Sequence, residues 1–233
     1  WAPFGGLCRR RSAPDARRRD LQKEPKWRYA AAAGLLLLAL ATAFNGQPTL
    51  EKKWHRLAAQ KQPLLDSRAV YIEPAEMLSL IHDDTRGLLL WDVRSERDFN
   101  LFHMRSAVRM EEETLRNIHR TGIDPTANQV IVIMGNDEKA ATEVWKWLAM
   151  QDIPNVYILG GGINRWLETF AAEARGLMVK KEGPAETLRY AFRAALGARQ
   201  PAAEPDQHLL KSLGEFTPKV KMTKVVKRQG GCG

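Results

Sequence analysis

Three groups of residues in this 233-residue chain have types and spacings suited to chemistry. Asp92 and Arg94 stand at the carboxyl end of the apolar run Leu88, Leu89, Leu90, Trp91, with His103 shortly beyond them. A carboxylate and a guanidinium at that place sit where open α/β sheets bind ligands. The competing reading is structural: Asp92 accepts backbone N–H groups, Arg94 pairs with Asp98 or Glu96 to fix the turn, and His103 is a hydrogen bonder in that turn. Gly160, Gly161 and Gly162 close a second apolar run and suit a turn with positive φ or a close backbone approach. A phosphate cradle there lacks the Lys-Ser/Thr companion such loops carry. The thiols are Cys8 and Cys232, both in terminal stretches, so neither a disulfide framework nor a cysteine zinc site belongs to the body of the chain. No cofactor and no metal are expected.

Positioning such groups requires elements that end together. Residues 69–72, 88–93, 128–134 and 156–159 are short, apolar and β-rich, and the longer ones are apolar throughout, as strands covered on both faces are. Between them lie helical patterns at 75–82, opened by Pro74, at 140–150 and at 163–174. Strands alternating with helices predict a parallel sheet with helices on both faces. Beyond it, residues 185–196 are predicted as one amphipathic helix with Leu188, Phe192, Ala195 and Leu196 on one side.

The net charge of +9 sits at the ends: residues 1–28 carry +6 and residues 216–233 carry +5, which leaves −2 for everything between. A nucleic-acid binder carries its basic stripe on the folded body, so no nucleic-acid partner is expected. Residues 29–44 are sixteen uncharged residues following the Arg-rich stretch. At about 1.5 Å per residue they span about 24 Å, short of a hydrocarbon core of roughly 30 Å. They read as a signal anchor in contact with membrane lipid, N-terminus cytoplasmic and domain on the far side. Alternatively they are a signal peptide cleaved after the small-x-small Ala41-Thr42-Ala43, releasing an exported soluble protein. The chain opens on Trp1, and its natural start is expected further upstream.

The run Leu90-Trp91-Asp92-Val93-Arg94-Ser95-Glu96-Arg97-Asp98-Phe99, then His103-Met104-Arg105-Ser106-Ala107, resembles the rhodanese signature. The second half is similar too: an apolar strand, a loop, a helix, then Asn155-Val156-Tyr157-Ile158-Leu159-Gly160-Gly161-Gly162-Ile163 with Trp166. The resemblance implies an α/β fold with a rhodanese-like parallel sheet of about five strands, flanked by helices on both faces, to which an N-terminal hydrophobic helix is added. The expected organisation is a basic segment 1–28, a transmembrane anchor or signal segment 29–44, a linker or short juxtamembrane helix 45–66, a rhodanese-like domain 67–173, and a basic, largely disordered tail 174–233.

In that family a sulfane sulfur moves by way of a cysteine persulfide at the start of a loop between a central strand and the next helix, where backbone N–H groups and a helix N-terminus lower the thiol pKa. The resemblance puts this loop on Gly135, Asn136, Asp137, Glu138, Lys139, Ala140 and Ala141, the nucleophile's position on Gly135 and the family's arginine on Ala140. No cysteine occurs between Cys8 and Cys232, so no catalytic residue is assigned. Asp137 and Glu138 at the helix start favour its dipole and cap it, while repelling thiosulfate, phosphate or a thiolate. The leading expectation is a membrane-tethered, non-catalytic rhodanese-like domain acting in protein–protein interaction or scaffolding, with an unknown protein partner. The alternatives are a sulfurtransferase or sulfane-sulfur carrier using tail Cys232, beside Lys227 and Arg228, and basic ends that bind anionic lipid headgroups.

Overall fold

The protein is described by a computed structural model that covers residues 26–44, 49–85, 87–123, 125, 128–171 and 178–221. It divides into a unit of residues 1–48 and a unit of residues 49–233. In the first, α1 (Lys26–Phe44) exposes Trp27, Tyr29 and Leu35, Leu36, Leu37 and Leu38. Among the described residues no helix is long and apolar enough to cross a membrane. The spanning helix expected at 29–44 is therefore not found: Lys26 and Arg28 fall within the nineteen residues of α1, and the uncharged remainder is short and Ala-rich.

The second unit holds α2 (Leu50–Asp66), β1 (Tyr71–Ile72), α3 (Pro74–Ile81), β2 (Gly87–Asp92), α4 (Glu96–Leu101), β3 (Ala107–Arg109), α5 (Glu112–Arg116), β4 (Gln129–Met134), α6 (Lys139–Ala149), β5 (Val156–Leu159), α7 (Gly162–Phe170), β6 (Met178–Lys180) and β7 (Tyr190–Phe192). The first five strands form one parallel sheet in the order β1-β5-β4-β2-β3. Because side chains alternate across a strand, β4 splits its apolar run between two cores. Val130, Val132 and Met134 join Met77, Leu78, Trp166 and Phe170 of α3 and α7 on one face. Ile131 and Ile133 join Leu115 of α5 and Val144, Trp145 and Leu148 of α6 on the other. An α/β fold with a five-stranded parallel sheet covered on both faces is thus what the chain adopts. β3 escapes the sequence pattern because it is a three-residue edge strand with Val108 turned to solvent.

From residue 50 the expected linker is α2, started by the Thr49 hydroxyl accepting from the Lys52 N–H and docked by buried Leu65 and half-buried Trp54. The larger difference lies at the other end. Residues 178–221 are not a free tail but a strap laid over the domain. Trp166 Nε1 donates to Ala202 O at 2.7 Å, His103 N donates to Gly197 O at 3.3 Å, and the buried Glu76 carboxylate accepts the N–H groups of Lys219 and Val220 at 2.7 and 2.8 Å. The helix expected at 185–196 is replaced by β7, paired antiparallel with β6. The reason is period: Leu188, Tyr190 and Phe192 recur every second residue and all pack on the α3–α7 core, as a strand's inner face does.

Asn164 on α7 clasps the strap, donating to Ala185 O and Thr187 O at 3.0 and 2.8 Å and accepting from Arg189 N at 2.8 Å. Asn164→Ala removes these three bonds from a buried side chain and is expected to cost about 2–4 kcal/mol in urea-induced unfolding. A chain ended after residue 177 uncovers Phe102 and Trp166 and is expected to lose its single cooperative transition; a soluble fragment with unchanged midpoint contradicts the strap's role.

Candidate functional site

The carboxyl ends of β2 and β4 bring the predicted residues together. Asp92 and Arg94 form a buried pair: Arg94 Nη2 lies 2.6 Å from Asp92 Oδ2 and Nε lies 2.9 Å from Oδ1, with side-chain exposures of 1% and 0%. Asp92 Oδ1 also accepts the Arg94 N–H, and Arg94 Nη2 donates to Phe102 O at 2.6 Å. The turn-fixing role is there, but the partner is Asp92, not Asp98 or Glu96. A charge sealed from water takes the nearest opposite charge, and Asp92 is the carboxylate sealed in with it. His103 accompanies this turn, stacked on Phe99 with Nδ1 2.8 Å from Phe99 O.

The loop after β4 opens on buried Gly135. A Cβ at Gly135 would lie 2.7 Å from Asp137 O, so this loop conformation has no room for a side chain there. The loop's carbonyls turn toward α7: Gly135 O accepts Ile163 N at 2.9 Å and Asn136 O accepts Asn164 N at 3.1 Å. Gly161 and Gly162, at φ 71° and 61°, make that approach possible, since a Cβ on Gly162 would sit 2.7 Å from both carbonyls. Asp137 Oδ1 accepts Lys139 N at 3.0 Å and so caps α6. Glu138 does not cap; it accepts Gly161 N at 2.7 Å and forms a bidentate pair with Arg68 at 2.6 and 3.0 Å. Burial pushes the Glu138 carboxyl up, but the hydrogen bonds from Arg68 and Gly161 outweigh it and hold the group below the usual carboxylate range.

Asn136 ties the loop outward, its Nδ2 donating to Asp98 Oδ2 at 2.7 Å and to Glu186 O at 3.1 Å. Lys139 Nζ pairs with Glu186 at 2.7 Å and Ala140, at the expected arginine position, is exposed. These groups border a cleft of about 800 Å³ walled by Val93, Val144 and Trp147, with the Arg116 guanidinium 4.2 Å over the Trp147 ring. Among the described residues no group of three or more His, Cys, Asp and Glu side chains is arranged to hold a metal ion. Cys8 and Cys232 lie outside the described residues. Arg68, Asn164 and Glu186 carry the site without having been legible as site residues. Asn164 alone left a signal, a polar residue on the apolar face that Ile163, Trp166, Leu167 and Phe170 make in α7.

Two measurements follow from these contacts. Arg94→Met strands a buried carboxylate and is expected to lower stability by about 3–5 kcal/mol, most of it recovered in Asp92→Leu/Arg94→Met. For Glu138, a folded pKa below the unfolded value of about 4.3 means stability that is present above that pH and lost as pH falls through the folded value. Glu138→Gln is expected to cost about 0.5–1 kcal/mol at pH 7, the pair being partly exposed, with the difference from wild type shrinking as pH falls below the unfolded value of about 4.3. A pH-independent difference between the two urea curves contradicts this.

Residues 73–169 match the family model described as the rhodanese-like domain. Solved structures similar to parts of the chain include a protein of Bacillus halodurans, at 18% identity over 46% of this chain and 77% of that one, with a TM-score of 0.38. A single-domain sulfurtransferase of Saccharomyces cerevisiae matches at 15% identity over 45% of this chain and 92% of its own, TM-score 0.37. A polysulfide-sulfur transferase homodimer of Wolinella succinogenes matches at 17% identity over 48% and 88%, TM-score 0.35.

Proposed function

We propose that the rhodanese-like domain is a non-catalytic module that works by binding another protein. The observation that carries this is the first residue of the loop after β4: Gly135 is buried, and a Cβ on it would press to 2.7 Å on the Asp137 carbonyl. Sulfur transfer at that point needs a thiolate, an anion pocket and free N–H donors. Within the loop the Lys139 N–H is taken by Asp137, and the N–H groups of Ile163 and Asn164 on α7 pin the two loop carbonyls in place. The loop's geometry favours rigidity over nucleophilic chemistry.

Thiosulfate:cyanide sulfurtransfer by the full chain tests the proposal. Turnover indistinguishable from a blank is expected; turnover well above it sinks the reading, and turnover lost in Cys232→Ser would assign the chemistry to the tail thiol as a sulfane-sulfur carrier. Gly135→Cys is expected to gain no activity and to lose about 1–3 kcal/mol of stability, because the new side chain overpacks the loop.

The tethering component rests on the sequence, where an Arg-rich stretch precedes the uncharged residues 29–44. In this reading the segment, too short to span by itself, holds the module at a membrane. Sequencing the mature N-terminus in fractionated cells decides it: an uncleaved chain in the membrane fraction is expected, whereas a soluble chain starting after Ala43 would make the segment an export signal.

A further inference from the structure

We infer that the groove at the amino ends of β1 and β5 receives an extended acidic segment of a partner protein, its carboxylates on Lys61, Lys219 and Lys221 and its apolar side chains on the floor between them. The inference rests on the reading that this domain works by binding another protein, and it names the chemistry of that partner.

The groove has a volume of about 690 Å³ and lies between the end of α2, the turn from α6 into β5 and the last described residues of the strap. A volume of this order holds a ligand far larger than a single ion. Val70, Trp145 and Val156 are its buried floor, and Trp145 Nε1 already donates to Val156 O at 2.9 Å, so the floor offers apolar contact. Leu64, Ile153 and Pro218 continue that surface outward, with Leu64 exposed. Lys61, Lys219 and Lys221 line the groove against one carboxylate, Asp152. Among the described residues none of these four side chains is in an ion pair. The buried Glu76 carboxylate accepts the Lys219 and Val220 N–H groups and does not line the groove. Glu138, which the charge of Lys219 reaches, is already paired with Arg68. Such a cationic excess beside low-dielectric walls focuses a positive potential.

Lys219 points to the same ligand independently. Its Nζ donates to Tyr71 O at 2.8 Å, on the open edge of the sheet, where β1 has β5 on one side only. The carbonyl fixes the ammonium and uses one of its three donors without neutralising it. A half-buried cation held in place without a counter-charge is completed by a carboxylate from outside. The same bond fills the edge acceptor of β1, so strand addition is closed there and recognition goes through side chains.

Charge also decides the occupant. Residues 222–228 follow directly from Lys221 and include Met222, Val225 and Val226, but they carry Lys224, Lys227 and Arg228 and no acid. That stretch would set like charges against each other. In an extended acidic segment alternate side chains point to opposite sides, so lysines and apolar floor are met together.

The test is calorimetric titration of the full chain with two capped peptides, Glu-Leu-Glu-Leu-Glu-Leu and Lys-Leu-Lys-Leu-Lys-Leu. Binding of the acidic peptide alone is expected, falling with added salt and weakened about tenfold or more in Lys61→Glu/Lys221→Glu. Neither lysine belongs to the buried core, so the variant is expected to keep the wild-type unfolding midpoint. Leu64→Ser removes apolar surface and no charge, and is expected to weaken binding about threefold or more. Two controls are expected to stay within about twofold: Lys211→Glu, on the strap outside the groove, and Arg17→Glu/Arg18→Glu/Arg19→Glu in the basic N-terminal stretch. No binding, binding of the basic peptide, no loss in the lysine double variant, or equal loss in either control overturns the proposal. So does binding of a peptide with the sequence of residues 222–228, which makes the occupant this chain's own tail. Vesicles of phosphatidylserine that bind through the same two lysines while the acidic peptide does not overturn it in favour of a membrane surface. Sulfurtransfer measured on the same sample keeps the two readings apart: no peptide binding with blank turnover removes only the acidic partner, while turnover removes the non-catalytic premise.

Discussion

A guanidinium and a carboxylate sealed from water at the end of β2 set the geometry on which the rest of the site depends. Two charges in so dry a place tolerate no separation, so Asp92 and Arg94 fix the chain's exit from the sheet. The second commitment of Arg94, to Phe102 O, binds the far end of α4 to the same point. α4, started by the Ser95 hydroxyl accepting from Asp98 N, then holds Asp98 where it meets Asn136. The pair that resembles a ligand clamp in the sequence is in the structure an internal brace, with its polar atoms turned to its own backbone.

From that brace the loop after β4 is held on three sides. α7 donates two N–H groups to the loop carbonyls, Arg68 reaches in from the end of α2 to Glu138, and Glu186 presses down from the strap onto Asn136 and Lys139. Each of these contacts joins the loop to a different element and fixes its conformation.

The strap enlarges the folded body well past the region matched by the rhodanese-like family model. Its buried contacts, Ala202 and Ala203 under Trp166 and the carboxylate of Glu76 on two backbone N–H groups, are of the kind that close a core. The same segment forms one wall of the cleft through Glu186. Domain closure and one border of the cleft thus share a single stretch of chain.

Much of the sheet was legible from residue order alone. The four apolar runs and the helices after three of them depend on local period and on strand burial, which neighbouring residues encode. The absence of a thiol between Cys8 and Cys232 and the glycines at 160–162 were equally plain. Tertiary structure alone decided the partners. Whether Arg94 takes Asp92 or Asp98, whether Glu138 caps its own helix or reaches Arg68 seventy positions away, and whether residues 178–221 hang free or clasp α7 all turn on contacts between segments distant in sequence. A side chain's type limits what it can bond; only the packing of the chain determines which of those bonds is within reach.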